Sequence, residues 1–382
     1  MDANNTRDIL TFHQFLLGKT NLRLDRLRQA ITKRVKPGDA VLDLGTGTGI
    51  LAFFACLAGA RRVYAIESGS VISLAKLLAR ANGFEDRIVF LPGASQELDL
   101  PERVDLIVTD VFDLFLPDAL RFIADAKDRW LSPGGSMIPT SMELFVAPAE
   151  AAEQYQRHVD SWKDRRYGID FSTIRQFAVN QCYPADINPA DLLADAAPAA
   201  RLNLPDLTSV ALGGEVSVII RKAGTLHGLC VWSASELADG ITLTNCPGAT
   251  TTNYSQVFLP VSQPIAVTEG DRLEIHVSSY DSFYWRWKVD ILRSARSEKS
   301  LCFDHSTFLG FPLSADALRK IAPDHAPRLS PRGEAERLVL SLSNGDTSIA
   351  DLEDRIGAHY PELFRSKQDV TSFVAEIIAR CA

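Results

Sequence analysis

The stretch Val41-Leu42-Asp43-Leu44-Gly45-Thr46-Gly47-Thr48-Gly49-Ile50-Leu51 decides the fold. Its first four residues read as a buried strand. Gly45, Gly47 and Gly49 then force a tight turn, and an apolar helix starts at Ile50. A glycine-rich turn between strand and helix lets backbone approach a ligand and aims helix N–H groups at it. The spacing G-x-G-x-G is not the G-x-G-x-x-G of dinucleotide binding, and an acid, Asp43, stands two residues before the first glycine.

Outward from this loop, residues 1–147 alternate between the two periodicities. Strands are expected at 40–44, 62–66, 88–91, 106–109 and 143–147, and helices near 13–35, 50–58, 71–81 and 117–130. Such alternation implies a parallel sheet covered by helices, with ligands at the carboxyl ends of the strands. Ser132-Pro133-Gly134-Gly135 reads as a turn feeding the last strand. From residue 148 onward, β-rich runs at 216–221, 226–233, 240–244, 256–260, 272–279 and 284–292 are broken by Gly, Pro and Asn, the pattern of an antiparallel sandwich or barrel. The Ala-, Pro- and Asp-rich stretch 185–204 is expected to cover the surface. Beyond a loop near 325–331, amphipathic helices at 335–342, 348–359 and 367–381 read as a small helical unit. The expected division is 1–147, 148–325 and 326–382.

The 382 residues carry a formal charge of −8, which argues against general nucleic-acid binding. The longest apolar run, 50–60, is too short to span a membrane, and the polar N-terminus does not read as a signal peptide. Six cysteines, Cys56, Cys182, Cys230, Cys246, Cys302 and Cys381, are dispersed without paired spacing. That usage fits reduced thiols in a cytoplasmic protein and gives no metal site.

With Asp43 before it, the glycine loop resembles motif I of class I S-adenosylmethionine methyltransferases. On that resemblance Gly45, Thr46, Gly47 and Gly49 bind the cofactor, S-adenosyl-L-methionine, and Asp43 orients its amino group. Glu67, with Ser68 beside it, follows the loop by about 20 residues at the tip of the second strand, where an acid accepts both ribose hydroxyls. Ser95, Gln96 and Glu97 lie after strand three, where the adenine is held; Ser95 can equally cap a helix. Arg23, on the first long helix with Arg26 and Arg28, can clamp a carboxylate bidentately or belong to a solvated face. His13 reads as a surface or packing residue, or as one that lines the cofactor entrance.

Over residues 10–312 the chain resembles the protein arginine methyltransferase family. The entry segment His13-Gln14-Phe15-Leu16-Leu17, with Leu22-Arg23 and Arg28-Gln29-Ala30-Ile31, is similar to the family's first helix. The family's carboxylate-binding arginine falls on Arg23. Ala65-Ile66-Glu67-Ser68 resembles its second-strand signature, and Arg129-Trp130-Leu131-Ser132-Pro133-Gly134-Gly135 with Ile138-Pro139 resembles its lead into a β-barrel. Residues 162–174, containing Tyr167-Gly168-Ile169-Asp170, resemble its dimerisation arm, placed near 153–185; 225–232 and Gln256-Val257-Phe258-Leu259-Pro260 resemble its barrel. The resemblance implies a Rossmann-like domain, an antiparallel β-barrel and a homodimer.

Three departures stand out. The first of the family's two acceptor-gripping glutamates is here Asp110, and the nearest counterpart of the second is Asp118, one residue too close. The Thr-His-Trp loop is replaced by Thr252-Asn253-Tyr254, and Thr46 stands where the family has cysteine. Carboxylates at this edge suit a cationic acceptor, because they localise the charge of a guanidinium whose lone pairs are otherwise delocalised. Asp110 is the candidate catalytic residue. Asp118 either contacts the acceptor or sits in the first turn of a helix, where the dipole favours acids; Asp113 reads as solvated. The expected reaction is methyl transfer to a guanidino nitrogen of a peptide, protein or free arginine. The alternatives are an N- or O-methyltransferase for a small molecule or natural-product peptide, and a cofactor-binding scaffold with little turnover. The last 49 residues, 334–382, resemble the helical part of PqqD-like domains, which bind leader peptides; the simpler reading is a helical cap.

Overall fold

The computed structural model describes residues 11, 13–18, 22–110, 119–207, 212–249, 255–279, 284–294, 300–312, 314–320 and 322–381. Two compact units divide the chain, one of residues 12–312 and one built around 313–382.

In the first unit, the expected entry helix over 13–35 is broken. Residues 13–16 form one helical turn (α1), Leu17 lies in a turn, and α2 runs Leu22–Arg34. Gly18 stands where the first turn stops, a position glycine tolerates at low steric cost. Helix α2 buries Leu24, Leu27, Ala30 and Ile31 along one stripe.

Next come β1 (Ala40–Leu44), α3 (Ile50–Ala58), β2 (Arg62–Glu67), α4 (Ile72–Ala81), β3 (Ile88–Pro92), β4 (Val104–Thr109), α5 (Ala119–Trp130) and β5 (Leu131–Ile138). The five strands form one parallel sheet in the order β3-β2-β1-β4-β5. All of β1 is buried, as its unbroken apolar run with a single acid requires. The central position of β1 puts the loop after it beside the ends of both β2 and β4.

The strand expected at 143–147 is not the last of this sheet. Residues 132–135 bulge out of the ladder between the pairs Val104↔Leu131 and Leu106↔Ser136, and 136–138 complete the parallel sheet. Pro139 has no amide hydrogen to extend the ladder. Thr140 then donates from both its amide and its hydroxyl to the Glu236 carbonyl, at 2.7 and 2.9 Å, which turns the chain into a different sheet.

That sheet starts with β6 (Ser141–Ala149). Helix α6 (Ala152–His158), a short hairpin of β7 (Arg165–Arg166) and β8 (Ile169–Asp170), and α7 (Arg175–Ala178) form the segment expected as the arm. Then follow β9 (Tyr183–Ala185), β10 (Ala197–Asn203), β11 (Leu212–Ile219), β12 (Gly224–Ala238), β13 (Ile241–Thr244), β14 (Gln256–Val267), β15 (Arg272–Ser279), β16 (Trp285–Leu292) and β17 (Leu301–Ser306). Strands β10-β6-β12-β14-β9 pair in that order with β13 beside β12, and β11-β15-β16-β17 make the second antiparallel sheet. The two sheets share one core, with Trp285 and Trp287 fully buried in it. The stretch 185–204, expected as surface cover, contributes β10, whose Ala199 and Leu202 pack on that core.

One junction bears on the site. Leu24 and Leu27 of α2 share a core with Leu237 and Ala238 of β12. At the other end of the helix, Lys33 Nζ donates to the Asp239 carbonyl at 2.7 Å and Arg34 pairs with the Asp239 carboxylate at 3.0 Å.

The second unit contains α8 (Ala315–Lys320), α9 (Pro331–Leu342), α10 (Ile349–His359) and α11 (Lys367–Cys381). Ser330 caps α9 by accepting from Gly333 N, with Pro331 in the first turn, and Ser348 caps α10 by accepting from Asp351 N. Val339, Leu352, Ile356, Phe373 and Val374 form its core.

Candidate active site

The carboxyl ends of β1, β2 and β4 hold three acids. Asp43 lies inside β1, fully buried. Its Oδ2 accepts from the Thr46 hydroxyl at 2.6 Å and from Ala52 N, in the first turn of α3, at 2.9 Å. It thereby ties the glycine turn to the helix that follows. Its Oδ1 is buried with no hydrogen-bond partner among the described residues. Burial pushes the Asp43 carboxyl up to about 7, against the lowering effect of the two donors. An acid in this state favours a bound cation, which would restore the charged form.

The sign of this shift gives a measurable outcome. Asp43 favours the neutral form in the folded protein, so its stabilising effect is full below its ordinary value and is lost as pH rises through about 7. The ligand-free protein is expected to lose about 5 °C in Tm between pH 5 and pH 8 through this group. Asp43→Asn, whose amide oxygen can still serve Thr46 and Ala52, should flatten that slope; a scan of Tm against pH in both proteins checks it.

Glu67 ends β2. Its Oε2 accepts from Gly47 N at 2.9 Å and its Oε1 from Gly69 N at 2.7 Å. One carboxylate therefore holds the glycine turn and the loop after β2 in register, leaving a second lone pair on each oxygen. Gly45 N and Thr46 N both donate to the Ile66 carbonyl, at 3.0 and 2.9 Å. Gly47 has φ +54°, and a Cβ there would stand 2.8 Å from Cε1 of His13. The positive φ favours glycine, and any side chain there would have to displace the imidazole above it. His13 thus covers the loop, and burial lowers its pKa against the opposing pull of Glu67.

Asp110 follows β4 and is one-fifth exposed. It forms an ion pair with Arg23, which is 2% exposed at the start of α2. The Arg23 Nη2 also donates to the Leu16 carbonyl at 3.2 Å. The structure thus brings together two residues that the sequence placed on different ligands. A small pocket of about 20 Å³ opens beside Asp110, walled by Leu27, Thr109 and Pro139 and by Ser233, Ser235, Leu237, Leu243, Thr244 and Asn245 of the barrel hairpin. Most of that wall is internally committed. Thr109 donates to the Leu44 carbonyl, Thr244 to the Ser233 carbonyl, and Asn245 bridges Ser233 N and the Ser255 carbonyl.

Of the other expected residues, Ser95 is buried and opens a short 3-10 turn whose cap is Ala94, so Ser95 is not itself a cap. Gln96 and Ser68 are exposed at the same rim. Asp113, Asp118, Thr252, Asn253 and Tyr254 lie outside the described residues. Two features escaped the sequence. Arg129 fixes the loop after β3 by donating to the carbonyls of Ser95, at 3.0 Å, and Leu98, and by pairing with Asp99 and Asp125. The only sequence hint was an arginine four residues after an acid on a helix. The hairpin wall of the pocket had no local signal.

Two family models match consecutive parts of the chain. A family model described as the arginine methyltransferase oligomerization subdomain matches residues 140–294, and one described as ribosomal protein L11 methyltransferase (PrmA) matches residues 20–142. Protein arginine N-methyltransferase 6 of Danio rerio is 31% identical over 292 residues, covering 72% of this chain and 82% of the relative. The relative of that name from Xenopus laevis is 30% identical over 276 residues, covering 68% and 81%. The Trypanosoma brucei PRMT1 enzyme-prozyme heterotetrameric complex with AdoHcy superposes with a TM-score of 0.68 at 22% identity, covering 75% of this chain and 94% of that one. Arabidopsis thaliana protein arginine methyltransferase 10 does so at 0.65 and 22%, covering 78% and 97%. These structures share the Rossmann-like sheet and the β-barrel. With a glycine turn tied by two acids on the sheet and a barrel wall facing a third, the chain belongs to the protein arginine N-methyltransferase family.

Proposed function

We propose that this protein transfers a methyl group from S-adenosylmethionine to a guanidino nitrogen of an arginine in a peptide or protein. The observation that carries the reading is the placement of Asp110, at the carboxyl end of the strand beside the glycine turn and at the mouth of the barrel-walled pocket. The residues present fit the cofactor. The buried Asp43 Oδ1 without a partner suits an amino group, the free lone pairs of Glu67 suit ribose hydroxyls, and Arg23 suits a carboxylate. Ser95 and Gln96 at the end of β3 would border the adenine. The cofactor supplies an electrophilic methyl group on a sulfonium. Asp110 holds the acceptor's guanidinium, draws its positive charge away from the attacking nitrogen, and is the group placed to take the proton that nitrogen loses. Positioning two reactants in line supplies much of the rate in such a transfer.

The test is mass spectrometry of arginine-containing peptides incubated with the protein and isotope-labelled cofactor. Label on the guanidino group is the expected result; label confined to amines or hydroxyls sinks the reading. Apart from Asp110 the pocket lining is uncharged, with Leu27, Pro139, Leu237 and Leu243 beside the polar Ser233 and Asn245, and this favours a second reading, transfer to a nitrogen or oxygen of a small molecule, which the same experiment on a metabolite extract detects.

We also infer a homodimer in the cytoplasm. The β7–β8 hairpin offers a fully exposed Tyr167 beside an exposed Ile169, and α3 and α4 offer exposed Leu57 and Leu77. Apolar groups of this size in the open suit an interface. Sedimentation equilibrium should give the mass of two chains, and a monomer at micromolar concentration would refute it. No helix among the described residues is long and apolar enough to cross a membrane, and the dispersed cysteines suit a reducing compartment.

A further inference from the structure

The ion pair between Arg23 and Asp110 joins a cation assigned to the cofactor with an anion assigned to the acceptor. Arg23 brings to Asp110 the same chemical group, a guanidinium, that the acceptor would bring. We propose that Arg23 holds the place of the acceptor: its guanidinium neutralises Asp110 until the cofactor's carboxylate draws it away, so that cofactor binding frees the acceptor site.

The physical case rests on competition for charge. A carboxylate paired with one buried guanidinium presents little net charge to a second. Asp110 keeps one-fifth of its surface open and lines the pocket, whereas Arg23 is all but sealed. An arriving guanidinium therefore meets a carboxylate already spent, and two cations on one carboxylate repel. A second carboxylate beside Arg23 changes this. The planar fork of donors redistributes toward the new anion, and the charge of Asp110 returns to the pocket. The Leu16 carbonyl, which also accepts from Arg23, sits on the last residue of α1, whose His13 covers the glycine turn. The segment that would border the cofactor thus also steadies the arginine that must move. Coupling of this kind is reciprocal: whatever the cofactor does for the acceptor, removal of the charge on Asp110 does for the cofactor.

This inference rests on the proposed roles of Arg23 and Asp110, and the experiment separates the two. Calorimetry on the full chain uses S-adenosylhomocysteine and ethylguanidinium as probes. Ethylguanidinium should bind about tenfold more tightly when S-adenosylhomocysteine is saturating. Arg23→Gln without that ligand should bind ethylguanidinium as tightly as the unaltered protein does with it, although its affinity for S-adenosylhomocysteine falls. Asp110→Asn should bind S-adenosylhomocysteine about tenfold more tightly, and the gain should vanish in the double variant, since the two changes act through one contact. Should Arg23→Gln fail to fold, the Asp110→Asn arm decides alone. Ethylguanidinium affinity indifferent to S-adenosylhomocysteine, or S-adenosylhomocysteine affinity unchanged in Asp110→Asn, overturns the proposal. If ethylguanidinium binds no form while Asp110→Asn still gains affinity through Arg23, the coupling stands and the guanidino acceptor falls.

Discussion

Glu67→Ala is expected to weaken cofactor binding by about 100-fold or more. Two effects add. The ribose hydroxyls lose a charged acceptor, and hydrogen bonds to charged groups are worth about 1.5–3 kcal/mol each. The amides of Gly47 and Gly69 lose their acceptor as well, so the turn and the loop after β2 are no longer held together. Glu67→Gln is the sharper test. A glutamine amide carries one oxygen and one NH2, so it can accept from Gly47 N or from Gly69 N but must turn donors toward the other. Glutamine should therefore recover only a small part of the loss. Titration calorimetry with S-adenosylhomocysteine reads both variants, and a glutamine variant that binds like the unaltered protein would show that the carboxylate does not bridge the two loops.

Asp110→Ala is expected to cut turnover by about 10³-fold while cofactor affinity is kept or improved. Alanine removes the anion that orients the acceptor and takes up its proton, and it leaves Asp43, Glu67 and the glycine turn untouched. Asp110→Glu restores the carboxylate one methylene further out, the length the family uses, and should retain measurable turnover with an altered KM. Single-turnover kinetics with labelled cofactor separate binding from chemistry here. Turnover unchanged in Asp110→Ala would remove Asp110 from the reaction.

The parallel sheet was readable because its strands are buried on both faces and bounded by glycine turns. The runs at 40–44 and 272–279 match β1 and β15 to the residue. The misplaced last strand shows where reading a chain locally stops working. Residues 143–147 are as apolar as any strand of the first domain, and nothing in their composition reveals that Thr140 and Glu236, far apart in sequence, turn them into another sheet. In the same way β10 hides in a stretch rich in Ala, Pro and Asp, because its strand character comes from the partner β6 and not from its own residues. The acids of the candidate site were legible for a related reason: Asp43 and Glu67 stand at strand ends beside a glycine turn, and that position is local. What was not legible is who pairs with whom. The meeting of Arg23 with Asp110, and of Arg129 with the loop after β3, depends on elements far apart in the chain.

The fastening of α2 to the barrel has a consequence for protein engineering. The helix that carries Arg23 is anchored at its opposite end to Asp239, and Leu24 and Leu27 interlock with Leu237 and Ala238. A chimera that exchanges the barrel at residue 140 would replace the hairpin and leave the helix without its seat. Such a swap should disturb the methyl-donor side even though no residue there has changed. Exchanging residues 22–34 and 237–244 together with the barrel would move the joint as a unit, so the interchangeable part of this enzyme is larger than its domain boundary.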